Sequence, residues 1–131
     1  METKRFTYSK QEKLKSRKLL NQIFAEGKSM NAFPLKITYT TQDLESLSAA
    51  KIAVGASSRY FKKAVDRNRV KRLLREAYRL HKHNLLDLLP EKKQLNVFIL
   101  FVGKDMNETV LIAEKMPLIL QKLGNSLQNK S

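Results

Sequence analysis

With 131 residues, 42% of them apolar, the chain suits one domain built around one modest core. Lys and Arg number 26 against 12 Asp and Glu, a formal net charge of +14 that points to an anionic partner, nucleic acid first and an anionic membrane surface second. The absence of Cys excludes disulfides and thiolate metal sites, no apolar run is long enough to span a bilayer, and the first residues lack the apolar centre of a secretory signal, so a soluble cytoplasmic protein is expected.

Residues 1–13 are polar and basic, with Phe6 and Tyr8 isolated, and read as a flexible arm. Ser16 is placed to cap a first helix that runs to about Ala25, with Gly27 as its stop. Leu20, Ile23 and Phe24 follow i, i+3, i+4 spacing and form one apolar face, expected to be core. Lys28–Ala32 reads as a short edge strand. Leu35–Thr41 alternates Leu35, Ile37 and Tyr39 with Lys36, Thr38 and Thr40, the pattern of a half-buried strand. Thr41–Ser48 is polar and reads as a loop. Lys51–Ala56 is the next strand, in which Gly55 marks a bulge or leaves room for another backbone.

Ser57–Phe61 leads into the most informative stretch, Lys62–Lys82, which contains neither Gly nor Pro. At about 100° per residue, Arg67, Asn68, Lys71, Arg72, Arg75, Arg79 and Lys82 share an arc of roughly 140°. Val70, Leu73, Leu74, Ala77 and Leu80 lie opposite, with Arg69 at the border. A solvated helix face normally mixes charge signs, because like charges at i, i+4 repel. Here Asp66 and Glu76 are the only acids among the bases, which favours a polyanion over plain solvent.

Asn84–Leu89 is a leucine-rich tail closed by Pro90. Leu95–Val102 is nearly all apolar and is expected to be a strand buried on both faces. Gly103–Asn107 reads as a turn, and Thr109–Leu123 as the last helix. Pro117 inside that helix either kinks it or marks a late start near Met116. Gly124 is its expected stop, with a frayed tail over 125–131. The order α-β-β-β-α-β-α predicts a single-domain α+β sandwich, a mixed four-stranded sheet packed by helices.

No catalytic constellation stands out. The carboxylates are scattered, without a pair suited to acid–base work or Mg²⁺. His81 and His83 are two apart on a helix and so point to different sides, whereas a chelating pair wants i, i+4 spacing. Ser57-Ser58 has no base beside it and reads as a cap.

Arg67-Asn68-Arg69, followed by Lys71-Arg72, Arg75-Glu76 and Arg79, resembles the signature of the bacterial ribonuclease P protein subunit. Ala64-Val65 and Ser58-Arg59 upstream also match, while Lys62 stands where that family carries a glycine. Length, charge and order of elements extend the resemblance over nearly the whole chain. It implies a left-handed crossover through the basic helix, against the usual right-handed rule. It implies that this chain assists a catalytic RNA in removing the 5′ leader of precursor tRNA, with hydrolysis on the RNA and Mg²⁺ held by RNA rather than by protein residues alone. The implied partners are the ribonuclease P RNA, at one protein per RNA, and the precursor tRNA leader, with no membrane.

By the same resemblance, Arg59, Lys62, Lys63, Arg67, Asn68, Arg69, Lys71, Arg72, Arg75 and Arg79 would bind RNA. A cleft of Arg17, Leu20, Phe24, Lys36 and Thr38 would hold the leader. Phe24 matches one of the family's aromatic positions, and Leu20 falls on the other, where it supplies apolar contact without stacking. An arginine commonly follows the last strand in the family; here Lys104 is the nearest base. Three other readings compete: a structural RNA-binding protein, a stand-alone nuclease, and a DNA-binding regulator, the last lacking a helix-turn-helix or dimerisation heptads.

Overall fold

The computed structural model describes residues 17–43, 50–89 and 93–128. Residues 1–16, with the expected arm and Ser16, residues 44–49, 90–92 and 129–131 lie outside the described residues. Chain order is α1 (Arg17–Glu26), β1 (Lys28–Ala32), β2 (Leu35–Asp43), β3 (Ala50–Ala56), α2 (Ala64–His81), α3 (His83–Leu86), β4 (Lys93–Phe101), a 3-10 turn (Met106–Val110) and α4 (Leu111–Gln128).

The sheet has the order β1-β2-β4-β3. β1 and β2 form an antiparallel hairpin closed by Phe33–Pro34, whose peptide bond is cis. β4 runs antiparallel to β2 and parallel to β3, so it is paired on both sides, as its apolar composition predicts. β2 is longer than its sequence suggests. Thr41, Gln42 and Asp43 continue the strand because Leu95, Gln94 and Lys93 of β4 lie opposite them and satisfy their backbone. β3 pairs with β4 in unbroken register from Ala50 to Ala56, so Gly55 marks no bulge.

One face of the sheet is dry. Leu35, Ile37 and Tyr39 of β2, Ile52 of β3, and Leu95, Val97, Ile99 and Phe101 of β4 are buried against α2 and α4. Val70, Leu74, Ala77 and Tyr78 of α2 and Ile112, Met116, Ile119, Leu120 and Leu123 of α4 complete this core. The alternation of β4 puts Phe98 on the opposite face, where the ring of Phe24 from α1 meets it edge-on at 5.3 Å. α1 therefore lies across the sheet from α2 and α4.

Helix ends differ from expectation at several points. α2 begins at Ala64 rather than Lys62, because Lys63 is extended (φ −82°, ψ 132°) and Arg67 Nη1 donates to the carbonyls of Phe61 and Lys62 at 2.8 and 2.9 Å. The leucine-rich tail coils into the single turn α3, which buries Leu85. α4 starts well before Pro117, since Asp105 and Glu108 form a capping box on the preceding 3-10 turn. Pro117 lies inside the helix, and Gly124 does not end it: 125–128 are helical, not frayed. A Cβ at Gly124 would stand 2.6 Å from Leu88 Cδ1, so the glycine serves close packing of the segment after α3. Among the described residues, no helix is long and apolar enough to cross a membrane.

Candidate nucleic-acid interface

α2 packs through Val70, Leu74, Ala77 and Tyr78, a seam rotated from the one the helical wheel suggests. Lys82, expected on the basic stripe, is only 5% exposed, and Lys71, Arg67 and Arg79 are half-buried beside the seam. Arg69, expected at the border, is exposed together with Asn68, Arg72 and Arg75. Leu73 and Leu80, expected in the core, stand open on a groove of about 350 Å³ that Val110, Ile112 and Ala113 close from the α4 side. The wheel gives the width of an apolar face, but the position of α4 decides which part of it is covered.

Charge on the open side of α2 is weakly compensated. Glu76 accepts from Arg79 Nη2 and, at 3.3 Å, from Arg79 Nε. The hydrogen bond from Arg79 holds the Glu76 carboxyl below its ordinary value of 4.5 and raises Arg79 above its own. Among the described residues, Arg69, Arg72 and Arg75 have no carboxylate partner. Arg67 is different: its Nη1 is engaged with two backbone carbonyls, so it fastens the lead-in to α2 while Lys62 and Lys63 on that lead-in stay exposed.

The second face of the sheet carries the other set. Cross-strand register aligns Ser29, Thr38, Phe98 and Ala53 in one row and Asn31, Lys36, Leu100 and Gly55 in the next. α1 borders this floor with Leu20 half-buried and Phe24 60% exposed, while Ile23 is fully buried; the expectation that all three are core fails at Phe24. Arg17 is the first residue of α1. Ser29 and Thr38 hydroxyls lie 3.2 Å apart. A Cβ at Gly55 would come within 2.7 Å of Phe98 Cζ, so the close approach this glycine permits is that of a ring, not of a backbone. Farther along the floor, Asn96 is fully buried yet paired: it donates to Gln42 Oε1 and accepts from Gln94 Nε2, both at 2.9 Å.

The two sets are thus held apart, the basic helix over the dry face and Phe24, Phe98 and Thr38 on the other. Arg59 belongs to neither. It lies on the loop after β3, 5.6 Å from the Tyr60 ring centroid, and Lys104 approaches the same ring at 5.8 Å. Sequence reasoning missed Phe98, Ser29 and Tyr60 as site candidates. Strand alternation, once β4 is paired, is the signal that finds Phe98; nothing local marks Tyr60. Among the described residues, no group of three His, Asp or Glu side chains converges as metal ligands.

A sequence profile described as Ribonuclease P matches residues 8–123. A ribonuclease P protein component from Porphyromonas gingivalis is 42% identical over 88 residues, covering 67% of this chain and 64% of its own length. Another from Chlorobium phaeobacteroides is 36% identical over 103 residues, 72% of this chain and 70% of that protein. The chain thus spans less than two thirds, 64%, of the P. gingivalis relatives it matches. Among solved structures, the Staphylococcus aureus RNase P protein superposes with a TM-score of 0.64 at 20% identity, over 86% of this chain and 94% of that one. The Thermotoga maritima RNase P protein gives 0.54 at 22%, over 92% and 98%. At these identities the two structures speak to the fold, and they share the single-domain α+β architecture with its mixed four-stranded sheet.

Proposed function

The chain belongs to the ribonuclease P protein family, and we propose that it is the RNA-binding protein subunit of a ribonuclease P that removes the 5′ leader from precursor tRNA in the cytoplasm. The observation that carries this reading beyond membership is the separation of two unlike surfaces by one sheet. Arg69, Arg72 and Arg75 present guanidinium groups without a carboxylate partner among the described residues on one side, and Phe24, Phe98, Thr38 and Lys36 give the other side a mixed aromatic and polar character. Guanidinium forks suit phosphate oxygens, and each phosphate neutralised releases counterions. An exposed aromatic edge over a polar floor suits a single strand, whose bases stack without strict sequence demand.

On this reading α2 grips the catalytic RNA, one protein per RNA, and the cleft receives the leader. Hydrolysis belongs to the RNA, with Mg²⁺ held there and not by residues of this chain alone. The protein tightens binding of the leader-bearing substrate and lowers repulsion between two polyanions. The test is reconstitution with a bacterial ribonuclease P RNA and a precursor tRNA at limiting Mg²⁺. Wild type should rescue 5′ cleavage, and an Arg69→Ala/Arg72→Ala double variant should not. RNA binding with a steep salt dependence but no rescue would reassign the chain as a general RNA-binding protein.

A further inference from the structure

At the end of the sheet where β3 and β4 finish, two cations approach the ring of Tyr60. Arg59 Cζ lies 5.6 Å and Lys104 Nζ 5.8 Å from its ring centroid, and the side chain is 41% exposed. The backbone on both sides of it is fixed. Ser57 Oγ accepts from the Arg59 N–H at 3.1 Å, and Ser57 O accepts from the Phe61 N–H at 3.0 Å. Phe61 is buried with its ring 5.8 Å from that of Phe101, and its carbonyl accepts from Arg67. Lys104 is tied down by its own N–H, which donates to Glu108 Oε1 at 2.6 Å.

A cation–π pair stabilises a fold with one cation and a covered ring. Here two like charges approach one partly exposed ring, so positive charge is gathered beside an aromatic surface, and an anion near both relieves their repulsion. We propose that Tyr60 is a stacking platform for one unpaired nucleotide, its base on the exposed part of the ring and the phosphates that flank it in the strand on Arg59 and Lys104. The proposal rests on the reading of the chain as an RNA-binding subunit. The nucleotide comes either from the catalytic RNA or from the precursor leader, and the experiment separates the two.

Wild type, Tyr60→Phe and Tyr60→Ala are each titrated with ribonuclease P RNA, and each reconstituted holoenzyme with leader-bearing and leaderless tRNA. Tyr60→Ala should weaken one arm by about 5- to 150-fold, the range for loss of one base–aromatic stack, while Tyr60→Phe stays near wild type. Loss in the first arm assigns the base to the catalytic RNA; loss confined to leader-bearing tRNA assigns it to the leader. Ultraviolet cross-linking should join Tyr60 to that RNA, a result a merely structural ring would not give. Unchanged affinity of Tyr60→Ala in both arms overturns the platform, as does an equal loss in Tyr60→Phe, which would implicate the hydroxyl. If wild type binds neither RNA, the functional reading falls on its own. The platform is then judged by quenching of an aminopurine-labelled single-stranded RNA: quenching lost in Tyr60→Ala supports it, and absence of quenching by wild type overturns it.

Discussion

Gly55 and Phe98 show how one atom governs the face of the sheet that α1 borders. A Cβ at 55 meets the far end of the Phe98 ring, which is half-buried and so has room on its solvent side to yield. Gly55→Ala should therefore leave the melting temperature nearly unchanged, yet weaken discrimination for leader-bearing tRNA, because Phe98 abandons its edge contact with Phe24. Urea unfolding and paired affinity measurements check both halves. Asn96 is the opposite case. Asn96→Ala strips a buried acceptor from Gln94 and a donor from Gln42, and should cost about 1–3 kcal/mol in unfolding free energy. Glu76 gives a pH signature. Its carboxyl is depressed in the folded state by the hydrogen bond from Arg79, so its contribution is present above the ordinary carboxylate value and is lost as pH falls through the lower folded one. The melting-temperature gap between wild type and Glu76→Gln should persist down to 4.5 and close only below it. At this scale the sequence was half legible. The signature from Arg67 to Arg79 announced a polyanion, but not that Arg67 spends a nitrogen on the carbonyls of Phe61 and Lys62. Nor did it announce Phe98, whose partner in α1 is remote along the chain.

Elements were read more surely than their ends. The period of the basic helix, the alternation of β2 and the apolar run of β4 each have one physical explanation, and all three stand in the structure. Boundaries failed where tertiary contact overruled punctuation. Gly124 signals a helix stop in isolation, whereas here α4 continues and Leu88 occupies the space a side chain would need. Because Leu88 Cβ itself would lie within 2.9 Å of an added Cβ, the segment after α3 would have to shift. Gly124→Ala should destabilise by about 1–3 kcal/mol, read from denaturant midpoints. The two sides of α2 should separate cleanly under mutation. Leu74→Ala empties a fully buried position and should cost about 2–5 kcal/mol. Arg72→Ala should leave stability alone and lower the slope of log K against log salt for RNA binding by about one.

For the molecule as a whole, a net charge of +14 on 131 residues is a standing internal pressure. Anions that bind the folded form relieve it, so added sulfate or phosphate should raise the melting temperature beyond the effect of equal ionic strength from chloride. A melt indifferent to the anion would refute that. The arrangement of layers has a further consequence. β4 is shared by the dry face through Val97 and Ile99 and by the opposite face through Asn96 and Phe98. Each is the immediate neighbour of the other along one strand, so a one-residue slip of β4 would exchange the two faces. The sheet thus acts as a gauge block. On the proposed reading, the standoff between a strand beside α1 and an RNA on α2 would be set by the depth of one sheet and one helix layer. A packed protein interior is nearly incompressible. Two RNAs held on its opposite faces would be kept at a distance that neither of them chooses.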